Sequence, residues 1–324
     1  MTDSSKEPWW PQLTTSMRAV INGMQRAGHP PFNTLSPAQA RQAYQLGAQV
    51  LEEDMPQSIS TRDAQIQSRD AGALPVRLYW SGAQPSADSP RATVLYLHGG
   101  GFTIGGIDTH DVLCGRIAAN TGAMVVSLQY RLAPEYRFPT AVHDCWDSLH
   151  WLATQGLQWG VDASLLAVAG DSAGGTLAAV IALMARDADL PLRAQCLIYP
   201  GTCAHQDTPS HGRYAQGPVL TAPLITWFFG QYIDDADRED WHFAPLLAPE
   251  LGGVAPAVLI LAECDPLVDE GIAYADQLRM AGVEVDIEIY RGVAHEFIKM
   301  GRVLPEAARA HQAIAAFLKQ QLRL

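Results

Sequence analysis

The sequence predicts an α/β protein with a mostly parallel central sheet flanked by helices. Three observations predict it. From about residue 60 onward, short apolar strands alternate with longer helical patterns. The strands are continuously apolar rather than alternating, as expected for strands buried on both faces. The chain has 324 residues and 48% hydrophobic composition, ample for one large core.

Residues 1–55 read as helical. The run SMRAVINGMQRAG carries apolar residues at helical spacing and stops at Gly and Pro-Pro, and SPAQARQAYQLGAQVLEE opens with Ser36 as cap and Pro37 at the first helical position. This section precedes any strand signal and is expected to pack as the first part of a helical cap. Residues 56–203 form the first part of the core. TRDAQIQS and LPVRLYWS read as an antiparallel pair, and 84–91 (QPSADSPR) as a surface loop. The following strands are 92–98, 123–129, 165–170 and 194–200, with helices near 110–121, 141–154 and 173–187. Residues 204–250 hold no clear strand, and they carry Pro209, Pro218, Pro223 and the cluster Trp227, Phe228, Phe229. A long insertion in a compact domain is usually functional, and this one is read as the second part of the cap. Residues 251–324 complete the core with strands 257–263 and 285–290 and helices near 268–281 and 305–321.

The bulk numbers exclude several classes. Net charge is −12, with 22 basic and 34 acidic residues, which disfavours nucleic acid or anionic lipid as a partner. Charged residues are only 17%, and no long stretch is starved of apolar residues, so a disordered chain is not expected. Five cysteines, at 114, 145, 196, 203 and 264, form no CxxC pair, so neither a disulfide framework nor a zinc site is expected. The N-terminus MTDSSKEPWWPQL lacks the charged and apolar regions of a secretory signal, and no run of 18 apolar residues occurs. A cytoplasmic location is the expectation, with thiols reduced. Oligomeric state is open, a homodimer among the options.

The sharpest local signal is Gly170-Asp171-Ser172-Ala173-Gly174-Gly175. It matches G-x-S-x-G and lies between the strand LLAVAG and the helical run AGGTLAAVIALMAR. A turn this tight forces strained backbone at the serine and needs small neighbours, and it lifts the serine oxygen to a helix N-terminus. The plain alternative is a glycine-rich helix start with Ser172 as its cap. The strand-to-helix context favours a nucleophile.

Upstream, His98-Gly99-Gly100-Gly101-Phe102 follows the strand ATVLYLH. Successive glycines leave N–H groups bare, and two of them, with the N–H after the nucleophile, can form an oxyanion hole. A phosphate loop would want a Lys after its glycines, and FTIGG has none.

A serine nucleophile needs a base and an orienting acid, which follow in the chain order Ser, Asp/Glu, His in this architecture. His205, His211 and His242 fall in the insertion and read as surface residues. His311 lies in the last helix, where a solvent-facing role is expected. His295, in the loop RGVAHEF after strand VDIEIY, has the address of the base. Asp265 comes first after strand AVLILAE and is assigned as the acid, with Asp269 the alternative. Asp269 and Glu270 otherwise read as acids favourable to a helix dipole.

Taken together, HGGGF, YRLAPE (130–135), GDSAGG, DPLVDEG and H-x-F in this order make the chain resemble the bacterial hormone-sensitive-lipase-like esterases, over roughly residues 20 to 320. The resemblance implies an α/β-hydrolase fold with a helical cap built from the N-terminus and the mid-chain insertion. It also implies Ser172 as nucleophile, His295 as base, Asp265 as acid, and the N–H groups of Gly100, Gly101 and Ala173 as oxyanion donors. Two departures stand out: Val268 replaces a frequent Arg, and Glu296 replaces the frequent Gly after the histidine, adding a charge near the base. The implied reaction is hydrolysis of small-molecule esters, short acyl chains preferred, through an acyl-enzyme, with no metal or organic cofactor. An amidase or thioesterase would use the same residues. A ligand receptor on this scaffold would be expected to lack His295, and a long-chain lipase would want a more apolar insertion than AHQDTPSHGRYAQ. Trp9, Trp10, Phe102, Trp227 and Phe229 are candidate pocket aromatics.

Overall fold

The computed structural model describes residues 7–324. The first six residues of the N-terminal section, and with them the start of the stretch read above as lacking a secretory signal, lie outside the described residues. In chain order the elements are α1 (Thr15–Ala27), α2 (Pro37–Gly47), β1 (Ile59–Gln67), β2 (Ala73–Ser81), β3 (Arg91–Leu97), α3 (Asp111–Thr121), β4 (Met124–Leu128), α4 (Thr140–Gln155), β5 (Val161–Asp171) and α5 (Ala173–Asp187). Then follow β6 (Ala194–Ile198), α6 (Pro209–Arg213), α7 (Ala222–Tyr232), β7 (Ala257–Cys264), α8 (Val268–Met280), β8 (Val285–Ala294) and α9 (Pro305–Leu322).

Among the described residues eight strands form one sheet in the order β1-β2-β4-β3-β5-β6-β7-β8. The expected antiparallel pair is β1 with β2, in register from Ile59 opposite Ser81 to Gln67 opposite Ala73. β2 also runs antiparallel to β4, and every pairing from β4 to β8 is parallel. The central strands β4 and β6 are buried along their whole length, which is why they read as unbroken apolar runs. The outer strands β1 and β8 alternate between exposed and more covered positions along much of their length.

Local chemistry sets the helix ends. The Thr14 hydroxyl accepts from Met17 N, and α1 closes on Gly28 at φ 68°. Ser36 and Gln39 form a reciprocal capping box at the start of α2, with Pro37 in its first turn. The sequence pattern continues to Glu53, yet α2 stops at Gly47. The insertion contains helices and no strand, as expected.

The two sections flanking the core touch each other. Trp9 Nε1 donates to the Gln216 carbonyl at 3.1 Å, and the Tyr214 hydroxyl bonds Gln12 Oε1 at 2.9 Å. Ala40 and Tyr44 of α2 share an apolar cluster with Phe228 of α7 and Ile104 of the glycine loop. Asp269 lies in the first turn of α8, and its Oδ2 also accepts from Ser210 N at 2.8 Å, which ties the insertion to α8.

Candidate active site

β5 ends at Asp171 and α5 begins at Ala173, so Ser172 occupies the whole turn. Its φ of 52° and ψ of −122° are strained for a residue with a side chain. A Cβ on Gly174 would collide with the carbonyl of Leu97, so the small residue after the serine is a packing requirement. Ser172 makes no side-chain cap bond to α5, which removes the reading of this serine as a helix cap. Its Oγ lies instead 2.9 Å from His295 Nε2.

His295 stands at the end of β8 and is 4% exposed. Its Nδ1 lies 2.6 Å from Asp265 Oδ2, and the other Asp265 oxygen accepts Leu267 N at 3.0 Å. A carboxylate can only accept, so Nδ1 carries the proton and Nε2 is left free to accept from the serine hydroxyl. Burial works to lower the His295 pKa, but Asp265, its hydrogen bond, Glu296 and Asp171 outweigh it, and the pKa is raised. Glu296 accepts from the Tyr44 hydroxyl at 2.6 Å, and that same hydroxyl accepts from Lys299 Nζ at 2.8 Å.

The glycine loop is held from below by Asp171. Its carboxylate accepts from the Tyr96 hydroxyl at 2.7 Å, from Gly99 N at 3.0 Å and from His110 Nε2 at 3.3 Å. Burial acts to raise the Asp171 pKa, but His110, Lys299 and Tyr96 hold it below the ordinary carboxylate range. His98 is buried and stacks on Tyr130 at 4.2 Å, and burial pushes its pKa down to about 3. The Tyr130 hydroxyl donates to the His98 carbonyl, and Ala133 N donates to the Phe102 carbonyl. The YRLAPE segment is thus the outer brace of the loop. Gly101 has φ 56°, and a Cβ there would run into the Phe228 ring.

A cavity of about 1140 Å³ opens over these groups, lined by Gly100, Gly101, Ser172, Ala173 and His295 among others. Residues of α1, α2 and the 218–229 stretch supply much of its remaining wall. Phe102 and Phe229 line it, whereas Trp9, Trp10 and Trp227 do not. Trp9 is core, 2% exposed. Two histidines depart from expectation. His211 is buried against the Thr208 hydroxyl at 2.7 Å and borders the cavity, because the insertion folds it inward. His311 is 6% exposed, its Nε2 meets the Ile298 carbonyl at 3.1 Å, and burial lowers its pKa to about 4. His205 is exposed and His242 half-buried beside Asp240.

Glu270 also departs from expectation: it is buried at the cavity wall, accepts from Thr202 N and Cys203 N, and burial raises its pKa to about 8. Sequence reasoning missed Tyr44 and Lys299, which line the cavity too. Nothing local marks Tyr44, whose partner Glu296 is 252 residues away. Among the described residues no group of His, Cys, Asp or Glu is arranged to hold a metal, and no helix is long and apolar enough to cross a membrane.

The architecture is that of an α/β hydrolase, and the comparisons with known proteins agree. The alpha/beta hydrolase fold family matches residues 94–299. Ethyl acetate hydrolase of Pseudomonas putida is 40% identical over 96% of this chain and 99% of its own length. Carboxylesterase NlhH of Mycobacterium tuberculosis is 40% identical over 77% of this chain and 79% of its own. The hyperthermophilic esterase from the archaeon Pyrobaculum calidifontis superposes with a TM-score of 0.88 at 36% identity, covering 95% of this chain and 98% of that one. The chain belongs to the α/β-hydrolase family, among its hormone-sensitive-lipase-like esterases. It is a carboxylic-ester hydrolase.

Proposed function

We propose that the chain hydrolyses short-chain acyl esters through an acyl-enzyme on Ser172, with His295 as general base and Asp265 as orienting acid. The observation that carries this reading is the continuous Ser172–His295–Asp265 hydrogen-bond chain, 2.9 Å and 2.6 Å long in its two links, at the floor of the cavity. His295 takes the Ser172 proton as Oγ attacks the ester carbonyl. The N–H groups of Gly100, Gly101 and Ala173 receive the oxyanion. His295 returns the proton to the departing alcohol, then activates the water that releases the acid.

The N-terminal section through residue 55, in its described residues 7–55, and the insertion 204–250 act as a cap over the core sections 56–203 and 251–324. Their mutual contacts and their joint lining of the cavity support this division. A capped pocket has finite length, which favours acyl chains of about two to eight carbons, the range suggested by analogy with the family. The name of the Pseudomonas relative, a hydrolase of ethyl acetate, supports the short end of that range. A series of p-nitrophenyl esters from acetate to palmitate tests it. Activity should peak among the short chains, and a profile still rising at palmitate would overturn the short-pocket reading.

A further inference from the structure

The cavity wall next to His295 carries a polar group that ester hydrolysis does not call for. Tyr44, on α2, is 6% exposed, and its ring lies edge-on to Phe32 at 6.1 Å. Its hydroxyl donates to Glu296 Oε1 at 2.6 Å and accepts from Lys299 Nζ at 2.8 Å, with the same ammonium 4.7 Å from the ring centre. Lys299 is 6% exposed and makes no direct ion pair with a carboxylate among the described residues. A buried ammonium ordinarily seeks an anion. Here one carboxylate, Glu296, is held on the far side of one phenol oxygen.

We propose that Tyr44 is a positioning residue for the hydrolysis: its hydroxyl stands between Lys299 and Glu296 and so leaves the Glu296 carboxylate acting on His295. The inference rests on the reading of His295 as the base. Removing the hydroxyl lets Lys299 and Glu296 close into a direct pair. The pair neutralises the carboxylate and withdraws its support from the imidazolium.

Other charged and titratable groups face the same region. Glu52, from the N-terminal section, has both carboxylate oxygens buried without a partner, and burial raises its pKa to about 7, with Lys299 opposing. Asp171 at the end of β5, Tyr199 after β6 and Asp265 after β7 face it too, as do His98, which feels the Lys299 charge, and His110, whose ring lies 6.5 Å from that of Tyr44. Glu52 titrates near the range of interest, so its ionisation must be separated from that of His295.

The test is the acid limb of kcat/KM against pH for wild type, Tyr44→Phe, Glu296→Gln and the double variant, repeated in a Glu52→Gln background. Phenylalanine keeps the ring and its packing, so a merely structural Tyr44 leaves the limb in place. The expected result is a displacement to lower pH in each single variant, with the double variant moving no further than Glu296→Gln. A Tyr44→Phe limb that superimposes on wild type, or single shifts that add in the double variant, overturns the proposal. If Tyr44→Phe does not fold, Lys299→Met answers the same question. With the cation gone the limb should stay or rise, and a fall overturns the proposal. His295→Gln separates the two levels. An active His295→Gln sinks the assignment of the base, whereas an inactive one beside an unmoved Tyr44→Phe limb sinks only the role of Tyr44.

Discussion

Asp265 serves two donors at once: one carboxylate oxygen faces His295 Nδ1 at 2.6 Å and the other accepts the Leu267 backbone N–H at 3.0 Å. An asparagine has one oxygen to offer. If the Leu267 N–H takes it, the amide NH2 faces His295 and forces the proton onto Nε2, where it cannot accept from Ser172. Asp265→Asn should therefore cost roughly ten-thousand-fold in kcat, the scale seen when an orienting carboxylate is lost from a known triad. Among the described residues Asp269 accepts from a single donor, Ser210 N, a bond that the one oxygen of asparagine can keep, so Asp269→Asn should retain most of the activity. Steady-state kinetics of the two variants decide it, and a dead Asp269→Asn beside an active Asp265→Asn would reverse the assignment.

Ser172→Ala should abolish turnover, on the order of a million-fold in kcat, and leave the fold intact. Alanine meets the same backbone strain at φ 52° that serine does, and no cap bond is lost from α5. The melting temperature should hold while labelling by a fluorophosphonate disappears. Near-wild-type turnover by a clean Ser172→Ala preparation would end the serine mechanism.

What was legible in the sequence was whatever chain order and periodicity encode locally. The strand–Ser172–helix turn, the HGGGF loop after β3 and the loop positions of Asp265 and His295 all follow from which element precedes which. Contacts made across the fold were not legible. His211 and His311 read as surface residues from their addresses, a mid-chain insertion and the terminal helix, and only the packing of the insertion and of α9 buries them. Glu270 sits where a dipole-favouring acid would sit, and its engagement with Thr202 and Cys203 depends on α8 lying beside the strand end after β6. The departure at Glu296 was visible, but its partner Tyr44 was not.

Glu270 makes stability depend on pH. Burial raises its pKa from the ordinary 4.5 to about 8. An acid whose folded pKa lies above its unfolded value favours the folded state most where both are protonated. That contribution is lost as pH rises from the unfolded value through the folded one. Glu270→Gln cannot ionise and also gives up one of two backbone bonds. It should be less stable than wild type near pH 5, and the gap should narrow by pH 9. Melting temperatures across that range test this, and two parallel curves would show that Glu270 does not carry the ionisation.

The base itself sets the acid limb of activity. His295 must be neutral to take the Ser172 proton, so kcat/KM falls as pH drops through its pKa. Burial alone would move that pKa down, yet Asp265, Glu296 and Asp171 together raise it above the ordinary 6.5. The wild-type limb should accordingly lie above pH 6.5. Glu296 sits at φ 64°, a left-handed conformation that glycine adopts without strain, so Glu296→Gly removes the charge while suiting the backbone. The limb should then move to lower pH. Salt distinguishes the source of the effect. An exposed carboxylate would be screened over about 8 Å at physiological ionic strength, whereas Glu296 is partly buried and bonded to Tyr44. The wild-type limb should therefore shift little between low and high salt. If the limbs of wild type and Glu296→Gly superimpose at low ionic strength with one soluble ester, the adjacent carboxylate does not tune the base.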